Sequence, residues 1–528
     1  MRNILFFLLF SPAVFAQSVP IKNTHNQEVP LLIFERPAGI DELLEREVDK
    51  NEFFEFGRFI YCDMSPKSHG EWTLNADKKT WRLALNAKDS KGISLYFDQF
   101  WIPSTGSLTI YNADKSKKIG PFTSKHNHNS GVFATELIND ETIILEYVQP
   151  HSESDELILH IDKFVYAYRS LGPLNGYNTS QSCEVNANCS EGDDWHDQKK
   201  SICRIQIPYN GGVGLCTGSL INNTSNNCTP YVLSADHCFN GGNISSNSLN
   251  QSIFYFNYYS EDCANSVPVS TKSITGCQKV SNSGNQGANG DSDFFLVKLN
   301  SEPDFDPFYS GWDRTNVAAN SGVGIHHPNG DIMKISTYNS SLVSSFFGSG
   351  TDNTTHWKVI WSQTDNGHGV TEGGSSGSPI FNQNKHIVGH LTGGGSYCMA
   401  STSPDVYGKV WHAWDQMGII PVKQLKFWLD SLNTGVTTLD GSYCNRSDTT
   451  SIANNQLMSH FDVYPNPTEG RFNLLSKDHG TVMIYNMLSE LVYRIEKEEN
   501  SMIIELSKLT PGIYFIHFNN SIKKLILH

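Results

Sequence analysis

Eight of the eleven cysteines fall between Cys183 and Cys277, with Cys398 further on. Clustering of this kind favours disulfides in an oxidising compartment over metal ligation. No pair has the Cys-x-x-Cys spacing of a zinc site, so no metal is expected. The same region, about residues 178–440, is rich in Gly, Ser, Asn and Thr. Its short apolar runs recur about every ten residues, the rhythm of an antiparallel barrel or sandwich. A single amphipathic stretch, Val422 to Leu432, suits a closing helix.

The amino terminus explains the compartment. Met1-Arg2-Asn3 makes a charged tip, Ile4 to Phe10 a short apolar run, and Val14-Phe15-Ala16 offers cleavage-compatible positions. Residues 1–16 therefore read as a secretory signal peptide, too short to span a membrane. No later segment has the uninterrupted apolar length of a transmembrane helix. A chain of 528 residues exceeds one core, so several domains are expected. Charged residues at 18% and hydrophobic residues at 38% describe globular domains. A net charge of −15 with no basic run argues against a nucleic-acid partner.

Residues 17–177 read as a separate β-rich domain, a propeptide or a binding module. Ser94-Leu95-Tyr96-Phe97-Asp98-Gln99-Phe100-Trp101-Ile102 and Ser107-Leu108-Thr109-Ile110-Tyr111 are strand-like, and Cys62 is the one cysteine here. The junction Gly172-Pro173-Leu174-Asn175-Gly176-Tyr177-Asn178-Thr179-Ser180 is loop-like and cuttable. Residues 441–455 form a polar linker, and residues 456–528 a last small β domain. That domain carries Val463-Tyr464-Pro465-Asn466-Pro467, Gly470-Arg471-Phe472, Pro511-Gly512-Ile513-Tyr514 and a lysine-containing final strand. It resembles the C-terminal sorting domain of the type IX secretion pathway. The resemblance implies outer-membrane secretion machinery as a partner, passage through the outer membrane and removal of the tail.

Three strings in the central region carry chemistry. Leu233-Ser234-Ala235-Asp236-His237-Cys238 comes first, then Ser292-Asp293-Phe294-Phe295-Leu296-Val297, then Glu372-Gly373-Gly374-Ser375-Ser376-Gly377-Ser378-Pro379. A serine hydroxyl is a weak nucleophile until a base removes its proton. Histidine suits that task, and a carboxylate must then fix its tautomer. Ser376 is the expected nucleophile, His237 the base and Asp293 the acid, in the chain order of a chymotrypsin-type triad. Gly374 and Ser376 would offer oxyanion-hole N–H groups. Asp236 is a poor candidate because adjacent side chains of an extended chain face opposite ways. Asp291 competes with Asp293 from further outside the apolar run. Gly373-Gly374-Ser375-Ser376-Gly377 also satisfies G-x-S-x-G, which would make Ser375 the nucleophile of an α/β-hydrolase elbow. His386, His390, Asp405 and His412 would then supply acid and base.

The central region resembles the lysyl endopeptidases, a branch of the chymotrypsin-like serine proteases. The matching strings are Cys216-Thr217-Gly218-Ser219-Leu220, Ala235-Asp236-His237-Cys238, Ser292-Asp293-Phe294, Gly311-Trp312-Asp313-Arg314, Ile325-His326-His327-Pro328-Asn329, Gly369-Val370-Thr371-Glu372 and Gly374-Ser375-Ser376-Gly377-Ser378-Pro379. The resemblance implies an all-β fold with a chymotrypsin-like double barrel and the triad His237, Asp293 and Ser376; the sequence itself points to no cofactor. It pairs Cys183 with Cys398, Cys189 with Cys263 and Cys216 with Cys238. Cys203, Cys228, Cys277 and Cys444 fall outside that pattern. Asp405, in Asp405-Val406-Tyr407-Gly408-Lys409-Val410, takes the place of the aspartate that binds the substrate's lysine ammonium.

Two departures touch the substrate pocket. Thr392 stands where the family has a histidine, and Phe346 or Phe347 where it has a stacking tryptophan. No lysine directly precedes the expected mature start near Asn178; Lys163 and Arg169 are the nearest basic residues. The expectation is a monomeric, secreted, acyl-enzyme-forming endopeptidase that cleaves protein or peptide substrates after lysine. The alternatives are a broader Lys/Arg protease and an inactive protease-like adhesin.

Overall fold

The computed structural model describes residues 21–22, 28–45, 54–171, 179–209, 211–266, 271–287, 291–348, 352–418, 420–443, 461–486, 491–518 and 521–528. The signal peptide, most of the junction and the linker from residue 444 onward lie outside them. The chain divides into two compact units, one of residues 1–431 and 435–445, the other of 432–434 and 446–528.

The first unit holds two antiparallel barrels preceded by a β-sandwich. The first barrel is built from Ile202–Tyr209, Gly212–Leu220, Tyr231–Ala235, Ile253–Phe256, Lys272–Thr275, Cys277–Asn282 and Phe294–Leu299. Its core includes Ile205, Leu220, Val232, Phe239, Phe254, Phe295 and Val297. The second barrel includes Gly322–His326, Lys334–Tyr338, His356–Val359, Pro379–Asn382, Ile387–Gly394 and Asp405–Lys409. Tyr338, Trp357, Trp361, Ile380, Leu391 and Tyr407 pack inside it. This is the expected all-β, double-barrel architecture. The α/β-hydrolase alternative for Ser375 is thereby corrected: neighbouring strands of these barrels run antiparallel, without the parallel sheet an elbow requires. The closing helix expected over 422–432 is also reduced. Pro421–Lys423 is one 3₁₀ turn and Lys426–Leu429 a short α-turn, because Gln424 between them is extended at φ −137° and ψ 144°. Leu425 and Leu429 still anchor it in the core.

The amino-terminal residues share a sheet with the first barrel. Strand Phe54–Met64 pairs with Gly212–Leu220 on one side and Ile158–Ala167 on the other. That barrel strand lies between Ile202–Tyr209 and Tyr231–Ala235, and its first residues, Gly212 to Leu215, take Phe54–Met64 as a further backbone partner. Strand Gly92–Trp101 is buried on both faces, and its alternation sorts the contacts. Ile93, Leu95 and Phe97 enter the sandwich core, while Tyr96 joins Phe56, Val165, Val213, Leu215 and Tyr255 in a core shared with the barrel. At the centre of that shared core lies Gln206. Its amide donates to Tyr96 Oη at 3.1 Å and to Ser94 Oγ at 3.3 Å, and its carbonyl accepts from Tyr255 Oη at 3.1 Å.

The second unit is a small sandwich of one three-stranded and one four-stranded sheet among its described residues. Strand Gly512–Phe518 shows the simple period of two, with Tyr514, Ile516 and Phe518 buried against Phe461, Phe472, Val482 and Ile484.

Replacing Gln206 by Leu removes the donor to the buried Tyr96 hydroxyl and the acceptor of the Tyr255 hydroxyl. The expected loss is about 2 kcal/mol, read as a lower urea midpoint for the full chain.

Candidate active site

His237 follows strand Tyr231–Ala235 and Asp293 precedes strand Phe294–Leu299. These strands pair, with Ala235 opposite Phe294, so the two side chains meet at one end of the barrel. Asp293 Oδ2 lies 2.7 Å from His237 Nδ1, and Asp293 Oδ1 accepts the His237 backbone N–H at 2.9 Å. One carboxylate therefore holds both the ring and the backbone of the histidine. It fixes the proton on Nδ1 and leaves Nε2 as a lone pair. Asp293 sits in the left-handed region at φ +62°, a conformation that costs about 1 kcal/mol. Asp291 Oδ1 accepts the Asp293 N–H at 2.7 Å, and Asp236 N–H donates to the Asp293 carbonyl at 2.7 Å; these bonds offset the strain.

The competing carboxylates face elsewhere. Asp236 accepts from Asn282 Nδ2 at 2.7 Å and from the N–H groups of Gly284 and Gln286. Asp291 accepts from the N–H groups of Asn285 and Asp293, and burial pushes it up to about 6. Burial favours neutral His237, but the charge and hydrogen bond of Asp293, with Asp236 behind, outweigh it and raise its pKa above the ordinary value.

Ser376 comes from a loop of the second barrel, and Thr217 of the first barrel holds that loop. Thr217 N–H donates to the Ser376 carbonyl at 2.8 Å and Thr217 Oγ1 donates to the Gly374 carbonyl at 2.9 Å. Cys216 beside it is bridged to Cys238, the residue after His237. Gly377, at φ +80°, packs so closely on Ser234 and Ala235 that a Cβ would come within 2.2 Å of Ser234 Oγ. The loop is thereby brought to the strand end that carries His237. Among the described residues the Ser376 hydroxyl makes no hydrogen bond to His237, a bond that tightens only with substrate in many such sites. The N–H groups of Gly374 and Ser376 likewise donate to no acceptor among the described residues. Ser375 is fully buried and lies 2.8 Å from His326 Nδ1, away from His386, His390 and His412.

Asp405 is fully buried at the start of strand Asp405–Lys409. Trp361 Nε1 and Thr371 Oγ1 donate to its Oδ2 at 2.8 Å each, and the N–H and hydroxyl of Ser396 donate as well. All four donors are neutral. A Cβ on Gly394 would lie 2.3 Å from Asp405 Oδ1, so only glycine fits beside that carboxylate. Thr392 Oγ1 is 3.1 Å from Nε2 of His356, a residue that the sequence did not single out. Phe347, rather than exposed Phe346, approaches that ring, with centroids 6.1 Å apart. Gly287 closes this corner against Thr392, Asp293 and Phe347. Burial pushes His356 down to about 3 and His390 down to about 4, keeping both neutral. His390 Nε2 donates to the Ser292 carbonyl at 2.7 Å, buttressing the residue before Asp293.

The three expected disulfides, Cys183–Cys398, Cys189–Cys263 and Cys216–Cys238, are all present. Cys203 and Cys277 are buried free thiols and Cys62 is half-buried and free. Cys228 is disulfide-bonded, and Cys444 lies outside the described residues.

Residues 177–408 match the family model "Lysyl endopeptidase, C-terminal domain". The central domain thus matches the lysyl endopeptidases. Residues 462–527 match a second model, "Secretion system C-terminal sorting domain", and the protein is a secreted or cell-surface one. A lysyl endopeptidase of Pseudomonas aeruginosa is 29% identical over 310 residues, covering 56% of this chain and 64% of that protein. The chain thus spans somewhat less than two thirds of that relative's length. An inactive mutant of Rv3671c from M. tuberculosis aligns at TM-score 0.25 and 13% identity over 40% of this chain and 82% of that one, too low to bear on the fold.

Because the Asp293 charge is what raises the His237 pKa, Asp293→Asn should lower it by about one unit or more. An imidazole NMR titration of both forms measures this.

Proposed function

We propose that the chain is a secreted serine endopeptidase that cleaves after lysine. The observation that supports it most is the hold of Asp293 on both the ring and the backbone of His237, beside a loop carrying Ser376 and two uncommitted N–H groups. In this reading His237 Nε2 takes the Ser376 proton as Oγ attacks the scissile carbonyl. The Gly374 and Ser376 N–H groups stabilise the oxyanion, and Asp293 stabilises the imidazolium. His237 then gives its proton to the leaving amine. A water repeats the sequence, releasing the new carboxylate and restoring Ser376.

Asp405 is the proposed lysine determinant. Donors from Trp361, Thr371 and Ser396 orient its carboxylate, which in this reading accepts an entering ammonium. Thr392 and Phe347 line the neighbouring wall in place of a histidine and a tryptophan, which leaves arginine as the competitor to test. The proposed order of the chain is signal peptide 1–16, propeptide 17–177, protease 178–440, linker 441–455 and sorting domain 456–528.

Digestion of a denatured protein mixture, followed by sequencing of the products, tests the reading. Termini confined to lysine are expected; lysine with arginine would widen the pocket, and no cleavage would leave the adhesin. Ser376→Ala should lower kcat by about 10⁴-fold or more, whereas Ser375→Ala should retain a phosphonylatable serine. Asp405→Asn should cut kcat/KM on lysyl substrates by about 10²-fold or more. The base must be neutral to act, and its pKa is raised, so kcat/KM should fall on acidification with a midpoint above about 6.5.

A further inference from the structure

We propose that His326 is a positioning residue that sets the loop bearing Ser376; the proposal rests on the reading of that loop as the nucleophile and oxyanion segment. His326 ends strand Gly322–His326 and is fully buried. Its Nδ1 lies 2.8 Å from Ser375 Oγ and its Nε2 lies 3.1 Å from Ser336 Oγ. Ser336 Oγ in turn donates to the Val370 carbonyl at 2.8 Å.

The direction of each bond follows from counting hydrogens. Ser336 Oγ spends its single hydrogen on the Val370 carbonyl, so it accepts from His326 Nε2. Nε2 thus carries a proton, and in the neutral ring Nδ1 is the bare nitrogen that takes the Ser375 hydroxyl hydrogen. Nε2 faces acceptors: Ser336 Oγ, and beyond it a Glu184 carboxylate oxygen at 3.8 Å. The bonds therefore run Ser375 to His326 to Ser336 to Val370, each donor matched to an acceptor, all in dry interior.

The two ends of this relay bracket the segment Val370 to Ser375. That segment holds Thr371, which donates to Asp405, and Gly374, one of the two proposed oxyanion donors. One imidazole on a paired strand thus ties the specificity carboxylate's partner and the oxyanion loop to the same scaffold. Placement of an oxyanion donor is worth about 10²-fold or more in kcat, so a loosened loop should appear in turnover before it appears in binding.

The test compares wild type with His326→Leu, His326→Gln and Ser375→Ala in the full secreted chain. A fluorophosphonate counts competent sites, and a lysyl amide substrate gives kcat per titrated site and KM; melting temperatures are recorded alongside. His326→Leu should lower kcat per site by about 10- to 100-fold with KM within about 3-fold of wild type. Ser375→Ala should show a comparable loss, and the double variant should be no worse than either, because both break one relay. His326→Gln should recover most of the activity, since its carbonyl can accept from Ser375 and its amide donate to Ser336. Wild-type kcat per site in His326→Leu, or in Ser375→Ala should the former not fold, overturns the proposal. A wild-type protein that does not label at Ser376 overturns the underlying reading instead.

Discussion

The candidate site depends on one contact between two barrels. His237 and Asp293 belong to the first barrel, Ser376 and Asp405 to the second. Neither barrel alone holds the constellation. Thr217 joins them by taking two carbonyls of the serine loop, and its hydroxyl also accepts the His327 N–H at 3.1 Å. One hydroxyl thereby both donates and accepts at the seam. The Cys216–Cys238 bridge beside it couples the same strand to the residue after His237. Displacement of that strand would move His237 and Ser376 together rather than apart.

Charge is handled differently on the two sides of the seam. At His237 a carboxylate is placed to favour the cationic ring, and it prevails over burial. Around it, His356 and His390 are kept neutral by burial and act as hydrogen-bonding frames. Asp405 keeps its carboxylate among neutral donors. The arrangement leaves one imidazole near Asp293 more ready to gain a proton than its buried neighbours.

The amino-terminal sandwich is part of the same physical object as the first barrel. Its strand Phe54–Met64 extends the barrel sheet, and a shared core with Gln206 at its centre seals the contact. A buried amide satisfied on both ends specifies register as well as stability, since a slip would break its bonds to three hydroxyls. The composition of residues 17–177 signals strands but carries no sign of this pairing, because backbone partners are not written in side-chain pattern.

Much of the site was legible in the chain. Ser-Ala-Asp-His-Cys, Ser-Asp-Phe and Gly-Gly-Ser-Ser-Gly-Ser-Pro announced which residue types stand where, and the three disulfides followed from the family resemblance. The alternation of Gly512–Phe518 and the apolar run after Asp293 reported local strand structure, because side-chain period is a property of neighbouring residues. What only the tertiary structure decided is which partner each polar group takes. Two adjacent serines look alike in the string, yet Ser375 is committed to His326, 49 residues away, while Ser376 is not. Asp236 and Asp293 are both acidic neighbours of His237, yet one faces the loop from Asn282 to Gln286 and the other faces the ring. Hydrogen bonds are directional and short-ranged, so these choices are made by the packing of distant strands, on which local sequence is silent.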